Sequence, residues 1–423
     1  MKILWIVNNI MPKLAQKTGL TASASGSWLI DASEQLSKRN DIELAIAAVG
    51  GKQFTKYEID HITYYLLPGT GKNMLFYTKK YEKIWREVNE DFQPDIVHLY
   101  GTEYSHGLSF LRANPQVKAV VSVQGVISRI KDVMFDGLPK YFDLKYGTLK
   151  EYMKFNGIYP RYCLYKKNSK YEEEILERVK YASVVNSWDY AVAKNINSNL
   201  EFFPLEYNLR NSFYDAKKWD LNQIDRMQIF AAPGGDPIKG LHVLLKALAI
   251  VKRSYNNIKL VVPGINASQG EIVVDSGYKK YLRKLIKKLD IKENVEFVGC
   301  LKEEQMVQSM QRSHMVVIPS AIEGTSLVLR EAMYLGVPCI ASFRGGMADF
   351  IADKEDGFLY DFSEYSYLAL RIQTLLENDA LAKQFSQRGA MKAAVAHNRE
   401  RNVENNIQMY KKIFDEVNNG EKC

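Results

Sequence analysis

The stretch SHMVVIPSAIEGTSLVLREAMYLGVPCIAS, Ser313 to Ser342, runs from a short apolar segment through a polar loop into a segment with helical spacing, then into a second short apolar segment. SHMVVIPS has the form of a buried parallel strand, AIEG is its exit loop, a helix begins near Thr325, and PCIAS is the next strand. The same alternation fills the chain. KILWIVNN, IELAIAAV, DIVHLYG and KAVVSVQG read as strands in the first half, and GSWLIDASEQLSK has helical spacing. After a pause at FFPLEYNLRNSFYDAKKWDLNQIDRM, Phe202 to Met227, the pattern restarts with QIFAAPGGD, KGLHVLLKALAIVKRS, IKLVVPG, YKKYLRKLIKKLD and VEFVG. This is a doubly wound α/β pattern, and its interruption predicts two Rossmann-like domains in tandem. The expected boundaries are 1–204 for the first domain, 205–395 for the second, and 396–423 for a terminal helix returning to the first. In open α/β sheets ligands sit beyond the carboxyl ends of the strands, so the expected site is a cleft between two such domains.

Composition sets the outer limits. The chain has 423 residues, 46% hydrophobic and 25% charged, an ordinary globular balance. No apolar run reaches the ~18 residues that span a bilayer, and MKILWIVNNIMPK lacks the cleavage site of a signal peptide. The cysteines, Cys163, Cys300, Cys339 and Cys423, form no C-x-x-C pair, which argues against zinc or disulfide frameworks and makes a reducing cytoplasm the expectation. The net charge of +8 favours an anionic partner or surface. No finger spacing or aromatic RNA-binding motif points to nucleic acid. PGTGKN, Pro68 to Asn73, fails as a phosphate loop because position 66 is leucine and Asn73 replaces Ser or Thr. No G-x-G-x-x-G follows the first strand, against a dinucleotide dehydrogenase. His98 and His106 have no third ligand at metal spacing.

Glu323 and Glu331 flank the start of the helix. Its free N–H groups and dipole form an anion site. Eight residues at ~1.5 Å rise span about 12 Å, the reach of a nucleotide sugar from hexose to ribose. The plainer reading makes Glu323 a helix-start charge and Glu331 a surface residue; against it, Glu331 lies between LVL and AMYLGV, where an unpaired carboxylate is costly.

E-x7-E after PS, followed by EAM..G.P.IAS, resembles the signature of retaining GT-B glycosyltransferases of family GT4. DIVHLYGTE, SVQG, IKGLHVLLKAL, VEFVGCL and GGMADFIADKEDGFL resemble further segments of that family, in its order, over most of the chain. The resemblance implies a GT-B fold, two Rossmann-like domains facing across a cleft, and sugar transfer from a nucleotide diphosphate sugar with retention, without metal or other cofactor. It implies that Glu323 contacts the donor sugar, Glu331 the ribose, and the backbone of Gly324, Thr325, Ser326 and Leu327 the phosphates. Lys239 in IKG matches the lysine that neutralises the diphosphate. The plainer reading of Lys239 is a solvated lysine, although its charge at a helix start opposes the dipole.

The chain departs from the pattern in two places. The arginine that many members carry before this lysine is absent from PGGDPIKG, where the backbone N–H groups of Gly234 and Gly235, or an arginine from elsewhere, would serve. A histidine before the glycine of the fifth-strand loop is replaced by Gln124, which hydrogen-bonds but is no base; His106 is the neighbouring candidate, or a structural histidine. Gly26 is expected to open the first helix beside a phosphate, and the backbone of Cys300 and Leu301 to read the base. The resemblance implies a glycan or a polyprenyl-linked intermediate of a surface polysaccharide as the expected acceptor. Lys140 to Tyr171 interleaves lysines with tyrosines on the acceptor-side domain and suits an anionic inner-membrane face, or else forms ordinary helices with solvated lysines. An epimerase of the same architecture and a catalytically silent nucleotide-sugar-binding subunit are the alternative functions.

Overall fold

The computed structural model describes residues 1–21, 26–70, 74–232 and 234–420. Gly71 to Asn73, the end of the rejected phosphate loop, Pro233 and Cys423 lie outside them. The chain forms two compact units. Met1–Ser128, Tyr165–Asn208 and His397–Cys423 make the first; Arg129–Leu164 and Leu209–Ala396 make the second.

In the first unit β1 (Lys2–Ile6), β2 (Glu43–Gly51), β3 (Thr55–Ile59), β4 (Ile62–Pro68), β5 (Ile96–Tyr100), β6 (Ala119–Ser122), β7 (Tyr181–Val184) and β8 (Glu201–Pro204) form an eight-stranded sheet in the order β3-β4-β2-β1-β5-β6-β7-β8. The edge strand β3 is antiparallel to β4; β1 runs parallel to both neighbours, with Ile3 opposite Leu44 and Ile96. Successive side chains of β1 enter different cores, Leu4 and Ile6 on one face, Ile3, Trp5 and Val7 on the other. Alternation with both faces covered is why this strand is apolar without a break. Helix Lys80–Phe92 covers the first face with Tyr81, Trp85 and Val88. Helices Ser27–Ser37 and Arg399–Gly420 cover the second, the latter through Ile407, Tyr410 and Ile413. The Tyr410 hydroxyl accepts from Trp5 Nε1 at 3.0 Å and lies 2.6 Å from Nδ1 of His98. His98 is thus a core group, and burial lowers its pKa to about 3.

In the second unit β9 (Asp225–Ala231), β10 (Lys259–Pro263), β13 (Val295–Gly299), β14 (Ser313–Ile318), β15 (Cys339–Ser342) and β16 (Phe358–Tyr360) form a six-stranded sheet in the order β13-β10-β9-β14-β15-β16; β11 (Ala267–Ser268) and β12 (Glu271–Ile272) make a small hairpin. β14 is buried along its whole length and pairs in parallel with β9 and β15, Val316 standing opposite Phe230 and Cys339. The helix after it is Leu327–Leu335, so it begins later than Thr325. Ser326 is the reason: its hydroxyl caps the helix by accepting from the N–H of Leu329. Only the last part of the interval from Glu323 to Glu331 is helical, and the loop part takes up the rest.

Arg129–Leu164, counted in the first domain from its sequence, packs with the second unit. The Glu151 carboxylate caps its own helix, Leu149–Lys154, at Thr148 and accepts the N–H of Gly277 at 2.8 Å. Phe142 and Tyr146 pack their rings against Tyr281, at 5.6 and 5.0 Å. Asp136 pairs with Arg344, and Arg161 with Asp236. Lys166, Lys167 and Lys170 belong to the first unit, so the lysine–tyrosine stretch is divided between the units. The irregular stretch after β8 is also anchored: Trp219 donates its Nε1 proton to Ser313 O at 2.8 Å.

Candidate active site

Every site residue expected in the second unit lies on a loop at the carboxyl edge of its sheet or just inside the helix that follows. The exit of β9 carries Gly234, Gly235, Asp236 and Lys239; that of β13 carries Cys300 and Leu301; that of β14 carries Glu323, Gly324, Thr325 and Ser326. β9 and β14 are neighbours, so their exit loops meet. Gly240 makes the meeting close: it has φ of +68°, and a Cβ there would run into Pro319 O. Only glycine fits such an approach. Ala321 N–H donates to Ile238 O at 2.6 Å across the same junction. Lys239 is thereby held with Nζ 2.6 Å from Oε1 of Glu323, which also accepts from the Ser320 hydroxyl at 2.7 Å. Burial alone would lower the Lys239 pKa, but Glu323 beside it more than offsets this, and the value is raised. Lys239 is therefore a permanent cation.

Glu323 is fixed from its other side by Gly346 N–H, which donates to Glu323 O at 2.8 Å. Beyond it the start of helix Leu327–Leu335 presents N–H groups free of helical partners, and the buried Thr325 Oγ1 has no hydrogen-bond partner among the described residues. A cation, a carboxylate and a helix N-terminus thus share one loop junction, an arrangement suited to a phosphate ester with a polyol attached.

Glu331 is buried inside that helix, its side chain 2% exposed. It is not alone: Arg210 donates Nε to Oε1 at 2.6 Å and Nη2 to Oε2 at 2.7 Å. Burial raises the Glu331 pKa and Arg210 opposes that. The two-pronged geometry is that of an ionised carboxylate. Arg210 was not found from the sequence, since it lies 121 residues away in an irregular stretch. Neither was Arg161. Its guanidinium is held on the Asp236 carboxylate, Nη2 to Oδ1 at 3.1 Å, and so stands at the glycine loop whose own arginine is missing. Gly264 N–H donates to Gly299 O at 2.7 Å, joining the exit of β10 to that of β13 just before Cys300, which is exposed.

The first unit has its own carboxyl edge, formed by the exits of β1, β5 and β6. Gln124 lies there, its buried Nε2 without a hydrogen-bond partner among the described residues. The same holds for Asn8 Oδ1, Glu103 Oε2 and His106 Nδ1. His106 sits in helix Ser105–Ala113, buried, and burial lowers its pKa to about 4, so it is neutral at pH 7. Glu103 was quoted within GTE but not singled out. The loops are built around it: Gly101 has φ of +98°, and a Cβ there would overlap the Glu103 carboxylate, as one on Gly125 also would at 2.9 Å. Burial, with Glu172 and Asp189 nearby, raises its pKa to about 8. Glu172 itself accepts the N–H of Ile127 at 2.8 Å and fixes the end of the β6 loop. Gly26 caps helix Ser27–Ser37; this is the second helix, because Pro12–Thr18 precedes it.

Residues 221–392 match the family described as glycosyl transferases group 1, a span that holds Lys239, Glu323 and Glu331. Over 179 residues the chain is 26% identical to the uncharacterized glycosyltransferase YqgM of Bacillus subtilis, an alignment covering 42% of this chain and 47% of that protein. The chain thus spans about half the length of that curated relative. Its fold is similar to that of sucrose-phosphate synthase from Thermosynechococcus elongatus, with TM-score 0.74, 15% identity and coverage of 98% of this chain and 99% of the other. It is also similar to Anabaena HepE solved in complex with UDP-glucose, with TM-score 0.67, 17% identity and the same coverages. The chain resembles GT4 glycosyltransferases and has the GT-B fold.

Proposed function

We propose that the protein is a retaining glycosyltransferase that moves a sugar from a nucleotide diphosphate sugar to an acceptor hydroxyl. The observation that carries this reading is the Lys239–Glu323 pair beside the start of helix Leu327–Leu335, within the region that matches the glycosyltransferase family. In the reaction the bond from the sugar's anomeric carbon to the β-phosphate oxygen breaks, and its electron pair stays on the phosphate. The acceptor oxygen bonds to that carbon on the same face, and its proton passes to the leaving phosphate. Negative charge grows on the β-phosphate as this happens. A fixed cation aimed at it lowers the barrier, and Lys239 supplies that cation. Arg161 supplies a second, in place of the arginine missing from the glycine loop. Glu323 takes sugar hydroxyls, and Glu331, oriented by Arg210, takes the ribose hydroxyls.

On the first unit, Asn8, Glu103 and Gln124 bind the acceptor. A hydroxyl both donates and accepts, which suits an amide oxygen, an amide N–H and a carboxyl held side by side. The acceptor is a glycan or a polyprenyl-linked intermediate at the inner face of a membrane. Among the described residues no helix is long and apolar enough to cross a membrane.

Incubating the chain with UDP-, GDP- and ADP-sugars and following the anomeric proton by NMR tests the proposal. Released or transferred sugar of the donor's own anomeric configuration, at a rate unchanged by excess EDTA, is expected. Inverted product would overturn the retaining mechanism. Binding without turnover would make the chain a nucleotide-sugar-binding subunit.

A further inference from the structure

Residues 135–159, all in the second unit, bury Phe142, Tyr146 and Ile158 but turn other apolar side chains outward. Tyr141 is 80% exposed, Leu144 80%, Leu149 76%, Met153 73% and Phe155 81%. Contiguous exposure of this kind marks an interaction surface rather than scatter. Two of the positions are held at a cost in backbone energy. Tyr141 has φ of +54° and Phe155 φ of +49°, the left-handed region that large side chains rarely adopt. Phe155 closes helix Leu149–Lys154, where glycine or asparagine is the usual choice. A bulky aromatic residue kept in a strained conformation in solvent has no folding rationale, and strain of this sort collects at functional surfaces. Between the side chains lies a cavity of about 500 Å³, lined by Phe135, Tyr141, Leu144, Tyr152, Phe155 and Tyr159 among others.

The charges are sorted as well. The acidic groups of the stretch are held by partners within the protein, although Asp143 and Glu151 also line the cavity. Asp136 pairs with Arg344, Asp143 accepts the N–H groups of Ile158 and Tyr159, and Glu151 accepts those of Thr148 and Gly277. Lys140, Lys145, Lys150 and Lys154 are exposed and have no carboxylate partner among the described residues. The outer face therefore combines protruding apolar side chains with uncompensated positive charge. Protein–protein interfaces exclude lysine from their apolar centre. Aromatic and aliphatic anchors interleaved with lysine are the composition of a surface that lies in the head-group region of an anionic bilayer.

We propose that residues 135–159 form a membrane-docking surface, with Tyr141, Leu144, Leu149, Met153 and Phe155 entering the head-group layer of an anionic bilayer, the four lysines on lipid head groups, and one lipid chain in the cavity. The purpose of the surface, to bring a lipid-linked acceptor to the enzyme, rests on the function proposed above; the binding does not, and is measured without donor or acceptor.

The test is co-sedimentation of the full chain with vesicles of phosphatidylglycerol and phosphatidylcholine in equal parts, against phosphatidylcholine alone. Wild type should bind the anionic vesicles, more than tenfold more weakly at high salt. Changing Lys140, Lys145, Lys150 and Lys154 together to Gln should remove the preference for anionic vesicles. Phe155→Asn is the decisive variant. Asparagine tolerates the left-handed backbone, so its melting temperature should hold or rise while vesicle binding falls at least threefold. A wild type that ignores anionic vesicles, or a Phe155→Asn chain that binds as wild type does, overturns the proposal. Donor hydrolysis measured without vesicles should be unchanged in these variants. Vesicle binding by a wild type that turns over no nucleotide sugar would overturn the proposed function and leave this surface standing.

Discussion

At the carboxyl edge of the second sheet, charges stand in opposite pairs: Lys239 with Glu323, Arg210 with Glu331, Arg161 with Asp236. At the same edge of the first sheet, polar atoms are buried without partners among the described residues: Asn8 Oδ1, Glu103 Oε2, Gln124 Nε2. Paired ions are already oriented and partly desolvated, and an incoming phosphate can replace a carboxylate on a cation with little reorganisation. Orphaned amide and carboxyl atoms are a penalty that only a hydrogen-bonding ligand removes. One edge holds paired charges and the other unsatisfied polar atoms, the division that the proposed transfer from a nucleotide diphosphate to a hydroxyl calls for.

The largest effect expected on this comparison is at Lys239. Lys239→Ala removes the cation proposed to face the developing phosphate charge and should lower kcat by roughly 10²–10³, with little change in melting temperature. A steady-state assay with a cleaved donor measures it; a change in KM alone would move Lys239 from the reaction to simple binding.

Glu331 separates pairing from recognition. Glu331→Ala leaves Arg210 without its partner, and its side chain is only 18% exposed; breaking a buried pair costs about 3–5 kcal/mol. The chain should melt several degrees lower and bind nucleoside diphosphate more weakly. Glu331→Gln should recover much of the stability and little of the affinity. Recovery of both would make Glu331 a structural group.

Arg161→Gln should weaken nucleoside diphosphate binding about tenfold, the loss of one charged hydrogen bond, and Arg161→Lys should restore part of it. Calorimetry at two salt concentrations checks this, because a charge contact becomes weaker as salt rises.

The uncharged edge is tested through the pH dependence of stability instead of binding. The folded pKa of Glu103 is about 8, above the ordinary value of 4.5. Between those values the folded chain holds a proton that the unfolded chain has released, so stability falls as pH rises through the window and levels off above it. Wild type should therefore lose several degrees of melting temperature between pH 5 and pH 8 relative to Glu103→Gln. Parallel pH profiles for the two proteins would show that the carboxyl is not held protonated.

The alternation of strands with helices, and the loops that follow the strands, were legible from local pattern, because a buried parallel strand is a short apolar run whatever surrounds it; the order of the strands in each sheet was not. Glu323 and Glu331 were legible from their spacing around one helix start. Their partners were not: Arg210 and Arg161 lie 121 and 75 residues from the groups they hold, and no local period records such pairs. Arg129–Leu164 misled for a related reason. Its apolar spacing shows that something is covered, but not which sheet it covers, and the Glu151–Gly277 and Arg161–Asp236 contacts decide that only in three dimensions. Ser326 shows the limit at short range: TS offers two cap residues in succession, and the second one starts the helix. Glu103 left one readable sign, a carboxylate beside Gly101 at a strand exit, which gains meaning only once Gly125 is seen closing over it.

The second edge is proposed to be made for a diphosphate. The most direct test of this is calorimetric comparison of uridine, guanosine and adenosine diphosphates with their monophosphates, on wild type and Lys239→Gln. For the base that binds, wild type should prefer the diphosphate by at least tenfold, about 1.4 kcal/mol, and Lys239→Gln should narrow that preference, Arg161 keeping the remainder. Equal affinity of wild type for the diphosphate and the monophosphate would contradict the account.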